Sequence, residues 1–132
     1  MSGDTTLVTA GILVKESRVL LSRRPPGDRL AGFWELPGGK IEVGESPEEC
    51  LARELAEELD IRVSVGALFA ESTYRYPHAT IHLLAFRVDR WSGELMNHAH
   101  DDHRWVTLSE VEQLTLAPAD VPIVQRLQIE LA

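Results

Sequence analysis

Residues 37–61 read PGGKIEVGESPEECLARELAEELDI, and this stretch sets how the rest of the chain is read. Glu54, Glu57 and Glu58 fall at i, i+3 and i+4, so on a helix the three carboxylates share one face, their Cβ atoms roughly 5–6 Å apart. Like charges at that spacing repel, and near a helix C-terminus the macrodipole disfavours anions as well. Two readings account for such a cluster: a solvated outer face, or a site where a cation offsets the repulsion. Hard oxygen ligands of this kind suit Mg²⁺, with Mn²⁺ as a substitute.

The flanking residues frame a helix. Ser46-Pro47-Glu48-Glu49 has the form of a capping box, with Ser46 at N-cap, proline at the first helical position and Glu49 reaching back. Leu51, Leu55 and Leu59, with Ala52 and Ala56, make an apolar stripe that is expected on the side away from the glutamates. Pro37-Gly38-Gly39-Lys40 reads as a loop. Its glycines let backbone approach a phosphate or metal and its lysine adds a point charge, although the same residues also make ordinary turns.

Gly39, five residues, Glu45, seven residues, and then Arg53-Glu54-Leu55-Ala56-Glu57-Glu58-Leu59-Asp60-Ile61 together resemble the Nudix box, the signature of the Nudix hydrolases. Asp60 departs from it, standing where the family has glycine; αL geometry there costs a non-glycine residue roughly 1 kcal/mol or less. The resemblance runs along nearly the whole chain to the MutT-type branch, which hydrolyses nucleoside triphosphates, and takes in residues 82–91 and Ala117-Pro118-Ala119. It implies an α/β fold of the Nudix type, an α/β/α sandwich with a mixed β-sheet between helices, as a single domain over 1–132 with the box at 39–61. It further implies that Glu54, Glu57, Glu58 and the Gly39 carbonyl bind metal. One of these glutamates, or a carboxylate outside the box, would deprotonate the attacking water. Arg53 would pair with Glu45 to tie loop to helix, and Lys40 would lie near the phosphates.

The same resemblance assigns the base end. Arg24 matches an arginine that contacts the base, and Asp120, in Leu116-Ala117-Pro118-Ala119-Asp120, matches the position that reads the base edge. An ionised aspartate only accepts hydrogen bonds, which suits the cytosine amino group, the N1–H and amino group of guanine, or the N7–H of an 8-oxopurine. The string 116–120 resembles the CTP and 5-methyl-dCTP pyrophosphohydrolases, so cytosine and oxidised-purine substrates both stand. Asp120 is equally a candidate N-cap for the last helix. Tyr76 and Phe33 are candidates to stack on a base or to fill the core. Ala99 replaces a glutamate that MutT-type relatives use, and Asp101 or Asp102 is expected to take its role. A separate zinc site from His98, His100 and His103 is the lesser alternative.

Length and composition agree with this reading. A chain of 132 residues that is 44% hydrophobic suits one domain with one core. A net charge of −8 argues against long nucleic acid, which needs a basic patch, and means that a polyphosphate would be repelled unless divalent cations bridged the two. The lone Cys50 reads as a small filler. Without an apolar leader or a long apolar run, the expectation is a cytoplasmic protein acting on a small nucleotide, away from membranes, as monomer or homodimer. Residues 5–14 with Val19-Leu20-Leu21 read as a hairpin and 23–33 as a loop. Strands are expected at 63–69, 72–76, 80–91 and 105–106, a short helix capped by Ser109, and a helix from Val121 to Leu131 on the sheet face opposite the 47–59 helix. The expected activity is Mg²⁺-dependent release of nucleoside monophosphate and pyrophosphate for nucleotide-pool sanitation. The alternatives are hydrolysis of an ADP-ribose-type diphosphate, for which Pro77 downstream of the box is the cue, and a non-catalytic nucleotide- or base-binding module.

Overall fold

The computed structural model describes residues 5–95 and 102–131. Strand β1 (Thr5–Ile12) is followed by β2 (Val14–Lys15), β3 (Arg18–Arg23), β4 (Trp34–Glu35) and β5 (Gly38–Lys40). Helix α1 (Pro47–Leu59) leads to the long strands β6 (Arg62–Arg75) and β7 (Thr80–Ser92), then β8 (Asp102–Thr107) and helix α2 (Val121–Glu130). Strands β5-β1-β7-β6 form a mixed sheet in which β1 runs parallel to β7 and antiparallel to β5. Strands β2, β3 and β4 form an antiparallel second sheet, with β8 also paired to β3.

Alternation along the strands divides the core in two. Val19 and Leu21 of β3, Leu83 and Ala85 of β7, and Val106 of β8 pack with Ile123, Val124 and Leu127 of α2. Their neighbours Leu20, Phe86, Val88 and Trp105 pack with Leu51, Leu55 and Leu59 of α1. The two helices therefore cover opposite faces, as the sequence leads one to expect.

Helix α1 begins with both legs of the capping box: Glu49 N–H donates to Ser46 Oγ at 3.1 Å and Ser46 N–H to Glu49 Oε1 at 2.9 Å. It ends at Asp60 in the left-handed region, φ 58° and ψ 33°, with the cap N–H bonded to the Ala56 carbonyl. The leucines of the apolar stripe are buried, Ala52 is half-buried and Ala56 is exposed, and the stripe does not lie opposite all three glutamates. At 100° per residue Glu58 is only about 60° from Leu55, so it sits at the margin of the stripe and is 8% exposed.

Three local expectations are corrected. The hairpin involves only Val14–Lys15 and Arg18–Val19, closed by Glu16 and Ser17 at φ 51° and 64°, whose paired positive φ values suit a two-residue turn. Residues 5–12 instead pair with Thr80–Arg87, because the second half of β1, Thr9–Ile12, is buried at every residue, as in a central strand covered on both faces rather than half of a ribbon. Gly38–Lys40 is an edge strand on β1 rather than a loop, since Gly38 lies so close to the backbone of Thr9 and Ala10 that any Cβ would collide with it. Ser109 makes no side-chain cap; Thr107 N–H donates to Glu110 Oε1 at 2.7 Å and Glu110 N–H to Thr107 Oγ1 at 3.2 Å, so the box starts two residues earlier.

Leu55 is fully buried at the centre of the α1 core. Leu55→Ala should lower the unfolding free energy by about 2–5 kcal/mol, measured by urea denaturation, with a larger effect than Leu131→Ala at the exposed end of the chain.

Candidate active site

One cavity of about 550 Å³ opens between β1, β5, the C-terminal half of α1, the β3–β4 loop and the turn before α2. Its wall at one end is Gly38, Gly39, Lys40, Glu54 and Glu58. At the other it is Arg24, Asp28, Glu35, Tyr76, His78 and Asp120.

Glu54 lies over Gly39 so closely that its carboxylate fills the space a Cβ would take. Burial raises its proton affinity, the neighbouring charge of Glu58 adds to this, and Arg53 opposes it. Glu57 differs from the other two. Its side chain is 60% exposed and lies 3.2 Å from Arg53 Nη1, because at 100° per residue Glu57 falls between Arg53 and Glu54 while Glu58 falls on the other side of Glu54. The sequence places the three carboxylates on one face; the folded chain turns Glu54 and Glu58 into the cavity and leaves Glu57 at its rim. Among the described residues no three His, Cys, Asp or Glu side chains converge as a complete metal cage.

Arg53 joins the parts. Its Nε and Nη2 donate to the two Glu45 oxygens at 2.5 and 3.0 Å, Nη2 also to the Lys40 carbonyl at 3.2 Å, and Nη1 to Glu54 at 3.2 Å. The bond from Arg53, reinforced by Glu42 N–H, pulls the Glu45 carboxyl down to about 2. Cys50, beneath this network, touches Thr9 Oγ1 and the Lys40 carbonyl, each at 3.3 Å, and burial pushes its thiol up, in keeping with a filler.

At the far end Arg24 is held on three sides: Nε donates to the Arg29 carbonyl at 2.8 Å, Nη1 to Glu35 at 3.1 Å and Nη2 to Asp28 at 3.0 Å. Asp120 does not cap α2. Its Oδ2 accepts from Leu36 N–H at 2.9 Å across the cavity floor. Burial lifts its carboxyl well above the usual range and the Glu35 charge adds to that, against the Leu36 bond and Arg24. Tyr76 is 6% exposed and its Oη accepts from Ala119 N–H at 3.0 Å. Phe33 is not part of the cavity wall.

Glu35, Asp28 and His78 escaped the sequence reading. Glu35 lies in the two-residue strand β4, and only its register opposite Ser22 aims it at the cavity. His98, Ala99, His100 and Asp101 lie outside the described residues, so the expected replacement for the Ala99 carboxylate and the zinc alternative fall there. Asp102 opens β8, and His103 sits opposite Ser22.

A family model described as the NUDIX domain matches residues 5–127. The chain is 39% identical over 118 residues to the CTP pyrophosphohydrolase of Escherichia coli (strain K12), covering 89% of this chain and 87% of that one. It is 33% identical over 122 residues to the 8-oxo-dGTP diphosphatase of the same organism, covering 92% and 95%. Among solved structures, the solution structure of the E. coli ORF135 protein superposes with a TM-score of 0.85 at 36% identity, covering 96% of this chain and 90% of that one. The crystal structure of the MutT protein from Methanosarcina mazei Go1 gives 0.88 at 25% identity, covering 98% and 97%. Nudix hydrolases generally use divalent metals. A match spanning nearly the whole chain, with relatives of similar length above 30% identity, makes this protein a member of the Nudix hydrolase family.

Proposed function

We propose that the chain is a Mg²⁺-dependent nucleoside triphosphate pyrophosphohydrolase that releases the monophosphate and pyrophosphate, with Mn²⁺ as a substitute ion and nucleotide-pool sanitation as its role. The supporting observation is that one cavity is lined by Lys40, Glu54 and Glu58 and also by Arg24, Glu35 and Asp120.

The donor set fits a hard divalent ion. Glu54 and Glu58 face the cavity, Glu54 seated against Gly39, whose carbonyl would join them, and Glu57 on the same turn would complete an all-oxygen set. Such an ion, when bound, neutralises non-bridging phosphate oxygens and makes a coordinated water more acidic. The chain's own residues do the rest. Glu54 and Glu58 are the carboxylates at the Lys40 end of the cavity that can take the proton of an attacking water. Lys40 adds a positive charge beside the phosphate path, and Arg53 holds Glu54 in position from outside the cavity. Arg24, with its guanidinium plane fixed by three partners, contacts the base, whose edge is read by Asp120.

A proton on Asp120 would widen what that edge can be. The carboxyl O–H would donate to a base carbonyl while the other oxygen accepts from an amino or ring N–H. An 8-oxopurine and a cytosine each present both kinds of group. The relatives named for 8-oxo-dGTP and for CTP bracket this choice.

Incubation with Mg²⁺ and a panel of 8-oxo-dGTP, dGTP, CTP, 5-methyl-dCTP and ADP-ribose should yield pyrophosphate and monophosphate from a triphosphate. Release of AMP from ADP-ribose alone would replace this reading with the diphosphate one. Glu54→Gln should lower turnover by more than about 100-fold and weaken Mn²⁺ binding seen by electron paramagnetic resonance. Arg53→Lys, which loses the bidentate fork, should fall within the roughly 10–100-fold expected for a lost supporting partner.

Because the folded-state pKa of Asp120 is raised above its usual 3.8, its stabilising contribution is complete at lower pH and is lost as pH rises through the folded value. Asp120→Asn keeps an acceptor for Leu36 N–H and removes the titration. The melting temperature of the variant relative to the parent should therefore climb from pH 4 towards pH 8; a flat difference would mean that the carboxyl ionises normally.

A further inference from the structure

Tyr76, a candidate to stack on a base or to fill the core, lines the cavity. It is nearly buried, with its hydroxyl fixed by Ala119 N–H. Its neighbours on the strand and the following turn are both aromatic. The Tyr74 ring lies against it at 4.7 Å between centroids, tilted by 59°, and the His78 imidazole stacks on it at 5.5 Å with the planes 27° apart. Tyr76 is thus the middle ring of a column, engaged by Tyr74 and by His78, and His78 is a terminal ring that lines the cavity.

We infer that His78 is the base-stacking residue of this site, and that Tyr76 is the rigid support behind it. The assignment rests on the proposed nucleotide reading and sharpens it. Three features favour it. His78 belongs to the short turn between β6 and β7, whose base is tied by Tyr76 N–H to the Ala79 carbonyl at 2.9 Å, so the imidazole is carried on a braced segment. Its column shares the cavity wall with Arg24, Glu35 and Asp120, which supply charge and edge contacts but no aromatic face. Stacking is tolerant of base identity because every base has a π face, so the ring contributes affinity while Asp120 reads the edge. The contact grows with ring area, so a bicyclic base gains more from it than a cytosine.

The experiment measures binding of 8-oxo-dGMP, CMP and pyrophosphate by calorimetry to the parent protein and to His78→Ala, His78→Phe and Tyr76→Phe. His78→Ala should weaken 8-oxo-dGMP by about tenfold, the low end of what base stacking contributes, and CMP by less, with pyrophosphate affinity retained. His78→Phe, which restores a ring, should recover most of the loss. Tyr76→Phe keeps the middle ring and should have the smaller effect. Equal weakening of pyrophosphate and monophosphate by His78→Ala would overturn the assignment in favour of a general structural role. So would monophosphate binding that does not respond to His78→Ala, or a loss that phenylalanine fails to recover. If the parent protein binds no monophosphate and hydrolyses no triphosphate, the nucleotide reading itself has failed; if it does both and His78→Ala is silent, only the stacking assignment has.

Discussion

The arrangement depends on one cation placed among carboxylates. Helix α1 has acidic residues in its first turn and no basic residue in its last, and it carries Glu54, Glu57 and Glu58 where neither the macrodipole nor their mutual charge favours them. Arg53, one residue before the cluster, is the counter-charge. By gripping Glu45 with two nitrogens and the Lys40 carbonyl with one of them, it fixes the loop before the helix, the edge strand β5 and the glutamates to each other. Without that fork the close seat of Glu54 over Gly39 would have to be maintained against repulsion from Glu58.

What this clamp holds together is the meeting of two sheets. Chain direction changes sheets at Leu13, so β1 contributes to the floor of the cavity while β3 and β4 supply the wall bearing Arg24 and Glu35. The Asp120 carboxyl closes the far side by bonding Leu36 N–H, which couples the turn before α2 to the segment that leads into Gly38 and Gly39. The base end and the anionic end are therefore built on one continuous stretch of backbone, residues 35–40.

The parts of this that could be read from sequence are the local ones. The capping box, the leucine stripe and the left-handed cap at Asp60 depend on neighbours within four residues, and each appears where the sequence puts it. The partner of β1 depends on pairing at a separation of some seventy residues, which the apolar run Thr5–Val14 does not encode by itself; the short hairpin turn next to it suggested a nearer partner. Gly38 and Gly39 read as a turn because the reason for their being glycine lies in other segments, the backbone of β1 and the carboxylate of Glu54. Glu35 and His78 were illegible for the same reason, since their direction comes from strand register and ring packing. Asp120 was found by position, but its bond to Leu36 N–H in place of a cap on α2 is a property of the folded cavity.

Burial and a neighbouring carboxylate raise proton affinity at both ends of the cavity, and the ends differ in what opposes that rise. At the Asp120 end burial is near complete, and Leu36 N–H and Arg24 act against it. At the Glu54 end the carboxylates stay beside Arg53, Lys40 and open space, where a mobile cation can offset them. On the proposed function, a ligand that is planar at one end and strongly anionic at the other would bring divalent ions with it to offset the carboxylates of the Glu54 end. The net charge of −8 enforces the same condition at longer range, because an unaccompanied polyphosphate is repelled before it reaches the cavity.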